Sequence, residues 1–192
     1  MSFNQLAHDR YSVRRFSDRK VEQEKLDSIL EAALAAPTAV NRQPFRVWVI
    51  ESPEALEKAR ESTHFHFHAP VILVVGADPS AAWERSYDNR NFADVDTAIA
   101  ATHMMLAIHD LGLGTTWVGH FDPACLKVAF PDMTPYDLIA LFPVGYPAQD
   151  CVPHPLHEVR KPESEIAAFL RSPHHSRQIL IGIIDCPVKA PK

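Results

Sequence analysis

Glycine is scarce in this chain, with six residues in 192, and cysteine is scarcer, with three. Cys125, Cys151 and Cys186 are odd in number and form no CxxC pair, which removes a disulfide framework and a cysteine zinc site and leaves reduced thiols as the expectation. Positive charge is also short: 19 Lys and Arg face 24 Asp and Glu, a formal net charge of -5. A main partnership with nucleic acid or an anionic membrane needs a basic face, so neither is expected. No apolar run reaches the length of a membrane span, and Met1-Ser2-Phe3-Asn4 lacks the basic and then apolar order of an export signal, so the expected location is cytoplasmic. Catalytic signatures are missing too. There is no GxSxG, HExxH or P-loop pattern and no cysteine in a nucleophile motif, so nucleophilic catalysis by a side chain has no support.

What is present is a chain of 46% hydrophobic residues, enough for one sizeable domain or one half of an intertwined dimer. Apolar periodicity predicts a helix over Val21 to Ala36, stopped by Pro37, and a short helix over Pro53 to Arg60. Runs rich in Val and Ile predict strands over Phe45 to Ile50 and Val71 to Ala77, with further core strands over Thr115 to Val118 and Leu138 to Tyr146. Asp94 to Leu111 is apolar or small nearly all round, which predicts a helix buried centrally or in a dimer interface. A short helix near Ala124 to Phe130, a last helix over Glu163 to Arg171 and a strand over Gln178 to Asp185 complete the reading. The sheet is therefore interleaved with helices.

Two stretches flank the first long helix and carry most of the chemical information. In Arg10-Tyr11-Ser12-Val13-Arg14, the residues Arg10, Ser12 and Arg14 alternate, so an extended backbone turns two guanidinium forks and a hydroxyl to one side. That set suits a phosphate through charge-assisted hydrogen bonds, although a solvated basic turn has the same local spacing. In Ala36-Pro37-Thr38-Ala39-Val40-Asn41-Arg42-Gln43-Pro44, Asn41 and Gln43 bring amide donors and acceptors that suit the polar edge of a heterocycle or simply form a turn. Gly112-Leu113-Gly114 is not a dinucleotide fingerprint, because it follows a helix and Trp117 stands where a third glycine is needed. His64, His66 and His68 alternate and on a strand would point one way, as metal ligands do; a polar loop explains them better, and no metal is expected.

These stretches, together with Gly112-Leu113-Gly114-Thr115-Thr116-Trp117-Val118-Gly119, Gly145-Tyr146-Pro147 and Arg160-Lys161, occur in an order that resembles the nitroreductase family over roughly residues 6 to 170. The resemblance implies an α+β fold, a mixed or antiparallel central sheet wrapped by helices, in an intertwined homodimer with FMN at the subunit interface. It divides the chain into a single FMN-binding domain, 1–171, and a C-terminal extension, 172–192, whose apolar run would pack on the partner subunit. By motif position, Arg10, Ser12 and Arg14 would hold the FMN phosphate and ribityl chain, Tyr11 would add a phenol contact, and Arg160 and Lys161 would close on the phosphate. Pro37, Thr38, Ala39 and Asn41 would approach the ring from the second subunit, with Gln43 near its polar edge. Trp117, Val118 and Gly119 would line one face, with the Gly119 N–H directed at flavin N5. The implied activity is ping-pong transfer of hydride from NADH or NADPH to nitroaromatics, quinones or similar small-molecule acceptors, with no catalytic side chain, because the flavin carries the hydride. An FMN store or sensor, or a specialised flavin chemistry such as dehalogenation or flavin destruction, is the alternative on the same fold. The histidine run departs from the family pattern and stands where a contact to the flavin pyrimidine is usual.

Overall fold

The computed structural model describes residues 2–170, which fall into two compact units divided between His157 and Glu158. The strand predicted over Gln178 to Asp185 and the packing of 172–192 on a partner lie outside the described residues.

The first unit is built around strand β2 (Val71–Ala77), which is buried at every position and reads as an unbroken apolar run for that reason. Antiparallel pairing joins it to β1 (Phe45–Ile50) on one side and to β6 (Asp137–Gly145) on the other, and β6 pairs with the two-residue β5 (Gly114–Thr115), giving the order β1-β2-β6-β5. A parallel bridge between Ser12 and Thr115 adds the N-terminal segment to the end of this sheet and makes it mixed. A separate hairpin pairs β3 (Glu84–Arg85) with β4 (Arg90–Asn91).

Because successive residues of β2 face opposite ways, each sheet face carries its own core. Val71, Leu73 and Val75 meet helices α2 (Gln23–Leu34) and α4 (Ala93–Asp110) through Leu26, Ile29, Met104 and Ile108. Ile72 and Val74 turn the other way, toward α3 (Pro53–Arg60) and α5 (Pro123–Ala129) through Leu56, Ala59 and Leu126. Serine and aspartate caps start α3 and α5: Ser52 Oγ accepts from Ala55 N–H and Asp122 Oδ1 from Ala124 N–H, each followed by a proline in the first turn. On α4 the deep positions are Ala100, Ala101, Met104 and Ile108, while Val95, Ile99 and Leu106 are only half-buried, so the protomer leaves an apolar face of this helix partly open.

Helix α4 stops through two hydrogen bonds that reach back across its last turn, Gly112 N–H to His109 O at 2.9 Å and Leu113 N–H to Ile108 O at 3.0 Å, with Gly112 at φ +73°. This left-handed stop is the role of the first glycine in Gly112-Leu113-Gly114, a turn and not a nucleotide loop. Gly114 has a different duty. A Cβ built on it would lie 2.6 to 2.7 Å from the side chain of Val13, so the N-terminal segment seats against the sheet only because that atom is missing.

Two expectations need correction, and one element is unpredicted. The strand predicted over Thr115 to Val118 is confined to Gly114–Thr115, with Val118 returning as an isolated bridge to Leu141, because the chain leaves the sheet edge at Thr116 and Trp117. The last helix spans Glu163–Ile166, a single turn in the second unit, rather than Glu163 to Arg171, and buries no residue that would hold a longer one. An unpredicted helix, α1 (Phe3–Asp9), opens the chain, with Ser2 Oγ accepting from Gln5 N–H at 3.2 Å. Among the described residues no helix is long and apolar enough to cross a membrane.

Replacing Gly114 with Ala is expected to lower stability by about 1–3 kcal/mol, the usual cost of overpacking, in urea denaturation. It should weaken anchoring of residues 10–16 as well, seen as faster amide exchange at Val13. A variant as stable and as protected as the parent would remove the close-approach role of Gly114.

Candidate functional site

The N-terminal segment is held to the sheet by Val13 N–H donating to Thr115 O at 2.9 Å and by Ser17 N–H donating to Tyr146 O at 2.9 Å. Between these two anchors Val13 is buried and Arg14 is exposed, so the guanidinium projects away from the core. Arg10 caps the end of α1 in an extended conformation, and Ser12 forms the bridge to Thr115, so the predicted extended backbone is present across the Arg10, Ser12, Arg14 stretch. Tyr11 turns its hydroxyl to Cys151 O at 3.2 Å, and burial followed by Cys151 raises its pKa above the ordinary phenol value.

Beyond this anchor Arg14 meets Trp117, Val118 and Gly119 around a cavity of about 230 Å³, with Phe65, Phe67 and His120 on the opposing wall. The wall is fixed by a local network: Thr63 Oγ1 donates to His120 O at 2.7 Å and accepts from Phe65 N–H at 3.1 Å, and Asp122 N–H donates to Ser62 O at 2.8 Å. Trp117 packs edge-on against buried Phe142 at 5.0 Å between ring centroids, which sets its orientation. Gly119 is exposed, and a Cβ built there would meet nothing within 4 Å. Its missing side chain therefore answers no need of the fold and leaves the backbone open to an approaching flat molecule. Phe65, Phe67 and His120 escaped the sequence reading; the aromatic spacing is visible there, but the partnership of residues 63–67 with 117–122 is set by tertiary contacts.

The second predicted stretch forms a strained loop. Val40, Asn41 and Gln43 have φ of 50°, 55° and 50°, a region that non-glycine residues seldom enter and that is least suited to a β-branched valine. Hydrogen bonds hold it there. Thr38 Oγ1 accepts from Gln43 N–H at 3.0 Å, Gln43 Nε2 donates to Asn41 Oδ1 at 3.1 Å, and Asp96 Oδ1 accepts from Ala39 N–H at 3.0 Å. Asp96, in the first turn of α4, is only 2% exposed, and its Oδ2 has no partner in the described residues. It was missed because an aspartate at a helix start reads from sequence as an exposed dipole contact. Pro37, Asn41 and Gln43 are exposed, and none of 37–43 lines the cavity around Gly119 in the same protomer.

His64, His66 and His68 do not lie on a strand. They sit in a tight turn with Phe67 at φ 51° and His68 at φ 52°, and no group of three metal-ligating side chains is present among the described residues. Arg160 and Lys161 belong to the second unit. There Arg160 Nη1 donates to Val159 O at 2.8 Å, and Lys161 lies 3.5 Å from Glu165.

An arginine, aromatic side chains and the open backbone of Gly119, with no carboxylate among the lining residues, give this cavity the charge and flat walls that suit a planar anionic group. The family profile described as the nitroreductase family matches residues 7–67 and 63–146, and the chain belongs to that family. A protein of Methanothermobacter thermautotrophicus with the provisional name NADH dehydrogenase/NAD(P)H nitroreductase is 34% identical over 152 residues, covering 73% of this chain and 75% of its own. The crystal structure of a nitroreductase family protein from Clostridium difficile superposes with a TM-score of 0.82 at 35% identity, over 90% of this chain and 100% of the other. A protein from Desulfovibrio desulfuricans, provisionally named a nitroreductase and solved in complex with FMN, has a TM-score of 0.69 at 28% identity, over 88% of this chain and 96% of the other.

Substitution of Asp96 by Ala is expected to lower stability by about 1–3 kcal/mol, because it leaves the Ala39 N–H without its acceptor. Asp96→Asn, which keeps an acceptor oxygen and removes a buried charge, should lose less. Denaturant midpoints compare the two, and equal losses would remove the anchoring role of Asp96 Oδ1.

Proposed function

We propose that the chain is an FMN-dependent oxidoreductase that takes hydride from NADH or NADPH and passes reducing equivalents to a nitroaromatic, a quinone or a similar small acceptor. The observation that carries this reading is the cavity itself: Arg14 supplies positive charge, Phe65, Phe67 and Trp117 supply flat apolar walls, and the open backbone of Gly119 leaves room for a ring at contact distance. FMN, when bound, supplies the hydride chemistry, so the protein has to bind, orient and screen rather than to donate or accept protons.

Within this reading Arg10, Ser12 and Arg14 hold the phosphate and ribityl chain from the N-terminal segment, and Tyr11 adds its phenol beside them. Trp117, Val118 and Gly119 line one face of the ring, with the Gly119 N–H available to it. Pro37, Thr38, Ala39, Asn41 and Gln43 serve the ring of the partner subunit; their loop stands outside the cavity of its own protomer and is held rigid by Asp96, as a contact offered outward requires. Arg160 and Lys161, in the second unit, are assigned to the phosphate by their motif position alone. A homodimer fits the half-buried face of α4 at Val95, Ile99 and Leu106 and the exposure of Leu34 and Val40, at 67% and 73%.

Arg14→Ala should weaken FMN binding by about 1.5–3 kcal/mol, the worth of a hydrogen bond to a charged group, measured by fluorescence titration of the apoprotein. Steady-state kinetics of the parent with a nicotinamide and para-benzoquinone should give parallel double-reciprocal lines, as a ping-pong exchange through one open face requires. Unchanged FMN affinity removes the phosphate assignment, and intersecting lines remove the shared face.

A further inference from the structure

A second cavity, of about 460 Å³, opens beside the first and shares Arg14 and Phe67 with it. Its polar lining is entirely basic: Arg14, Arg15, His64, His66 and His68, with no carboxylate among the lining side chains. The sequence motifs tied to the cofactor do not account for the three histidines, yet the turn that presents them is specifically built. His68 N–H donates to His66 Nδ1 at 3.1 Å, and the two rings meet edge to face at 4.5 Å. The positive φ at Phe67 and His68 closes the turn tightly enough to bring these rings together.

That hydrogen bond decides the chemistry of His66. With Nδ1 acting as acceptor, the neutral ring carries its proton on Nε2 and remains a donor. Burial first, then His68, Arg60 and His64, hold its pKa below the ordinary histidine value, with Glu57 opposing them. Glu57 is engaged with Arg60 at 2.5 Å on α3 and is not part of the lining. Asp150, the other nearby carboxylate, pairs with Arg15 at 2.7 Å in a largely solvent-exposed contact, which an incoming anion can displace at small cost.

We propose that this pocket receives the carboxylate of a planar aromatic acceptor, with Arg15, His64, His66 and His68 donating to it while the acceptor ring lies past Phe67, against the flavin face that Trp117, Val118 and Gly119 do not line. The inference rests on the proposed flavin reductase reading and names the acceptor class for it. The shared wall of Phe67 and Arg14 is what sets an anionic group held in this cavity beside the flavin ring proposed for the other.

The test compares para-nitrobenzoate with para-nitrobenzamide, which share a ring and nitro group and differ in charge, on the FMN-loaded full chain. The parent should prefer the acid over the amide in kcat/KM, because the pocket offers charged and hydrogen-bonding donors to a carboxylate. In the triple variant His64→Gln, His66→Gln, His68→Gln the ratio of acid to amide should fall about tenfold, through KM rather than kcat. Arg15→Gln, an exposed single substitution, should move the ratio the same way if the triple variant folds poorly. A folded, flavin-loaded variant with an unchanged ratio overturns the pocket. So does a loss of FMN affinity without a change in ratio, which would assign the cavity to the cofactor's own phosphate. Equilibrium dialysis of para-nitrobenzoate separates the two readings: acid binding that depends on the histidines in a chain that takes up no FMN keeps the pocket and removes the flavin reading, whereas FMN turnover without a change in ratio does the reverse.

Discussion

The seating of Val13 against Gly114 is the contact on which the candidate site depends. With no Cβ at Gly114, the N-terminal segment can add itself to the short end of the sheet, and the Val13 to Thr115 hydrogen bond fixes its register there. Alternation along that segment then buries Val13 and turns Arg14 outward, into the space that Trp117 and Gly119 border. One missing methyl group thus links a chain terminus to a cavity more than one hundred residues away in sequence. The Schellman-type stop at Gly112 delivers the chain to this point in the required direction.

A second constraint is strain in the loop that follows α2. Three non-glycine residues at positive φ are each unfavourable, and such geometry persists only where its surroundings over-determine it. Here the surroundings are a buried carboxylate at Asp96, the hydroxyl of Thr38 and the paired amides of Asn41 and Gln43. Val40, Asn41 and Gln43 are nonetheless exposed, and no residue of the loop lines the cavity around Gly119. An exposed loop next to a partly open face of α4 fits the two-copy site proposed above, in which a bound flavin supplies the chemistry.

Much of the framework was legible in the residues. The bounds of β1, β2 and α3 agree with the apolar runs and caps that predict them, because those elements are governed by local composition. Three features were not legible, each for a physical reason. Helix α1 buries none of its residues and has no periodicity to betray it; only the Ser2 to Gln5 capping pair marks its start. The strand after Gly114 is short because Trp117 turns out to pack on Phe142, a long-range contact. Asp96 is the most instructive omission, since only its burial distinguishes an anchor from an ordinary helix-start carboxylate.

The most direct measurement of the central claim is the visible absorption spectrum of the purified protein, reconstituted with FMN where necessary, before and after anaerobic addition of NADH and then NADPH. The account predicts a yellow, flavin-type spectrum with about one FMN per chain that bleaches with at least one of the two donors and recovers on addition of a quinone. A protein that remains colourless after incubation with FMN, or a bound flavin that neither nicotinamide reduces, would contradict it.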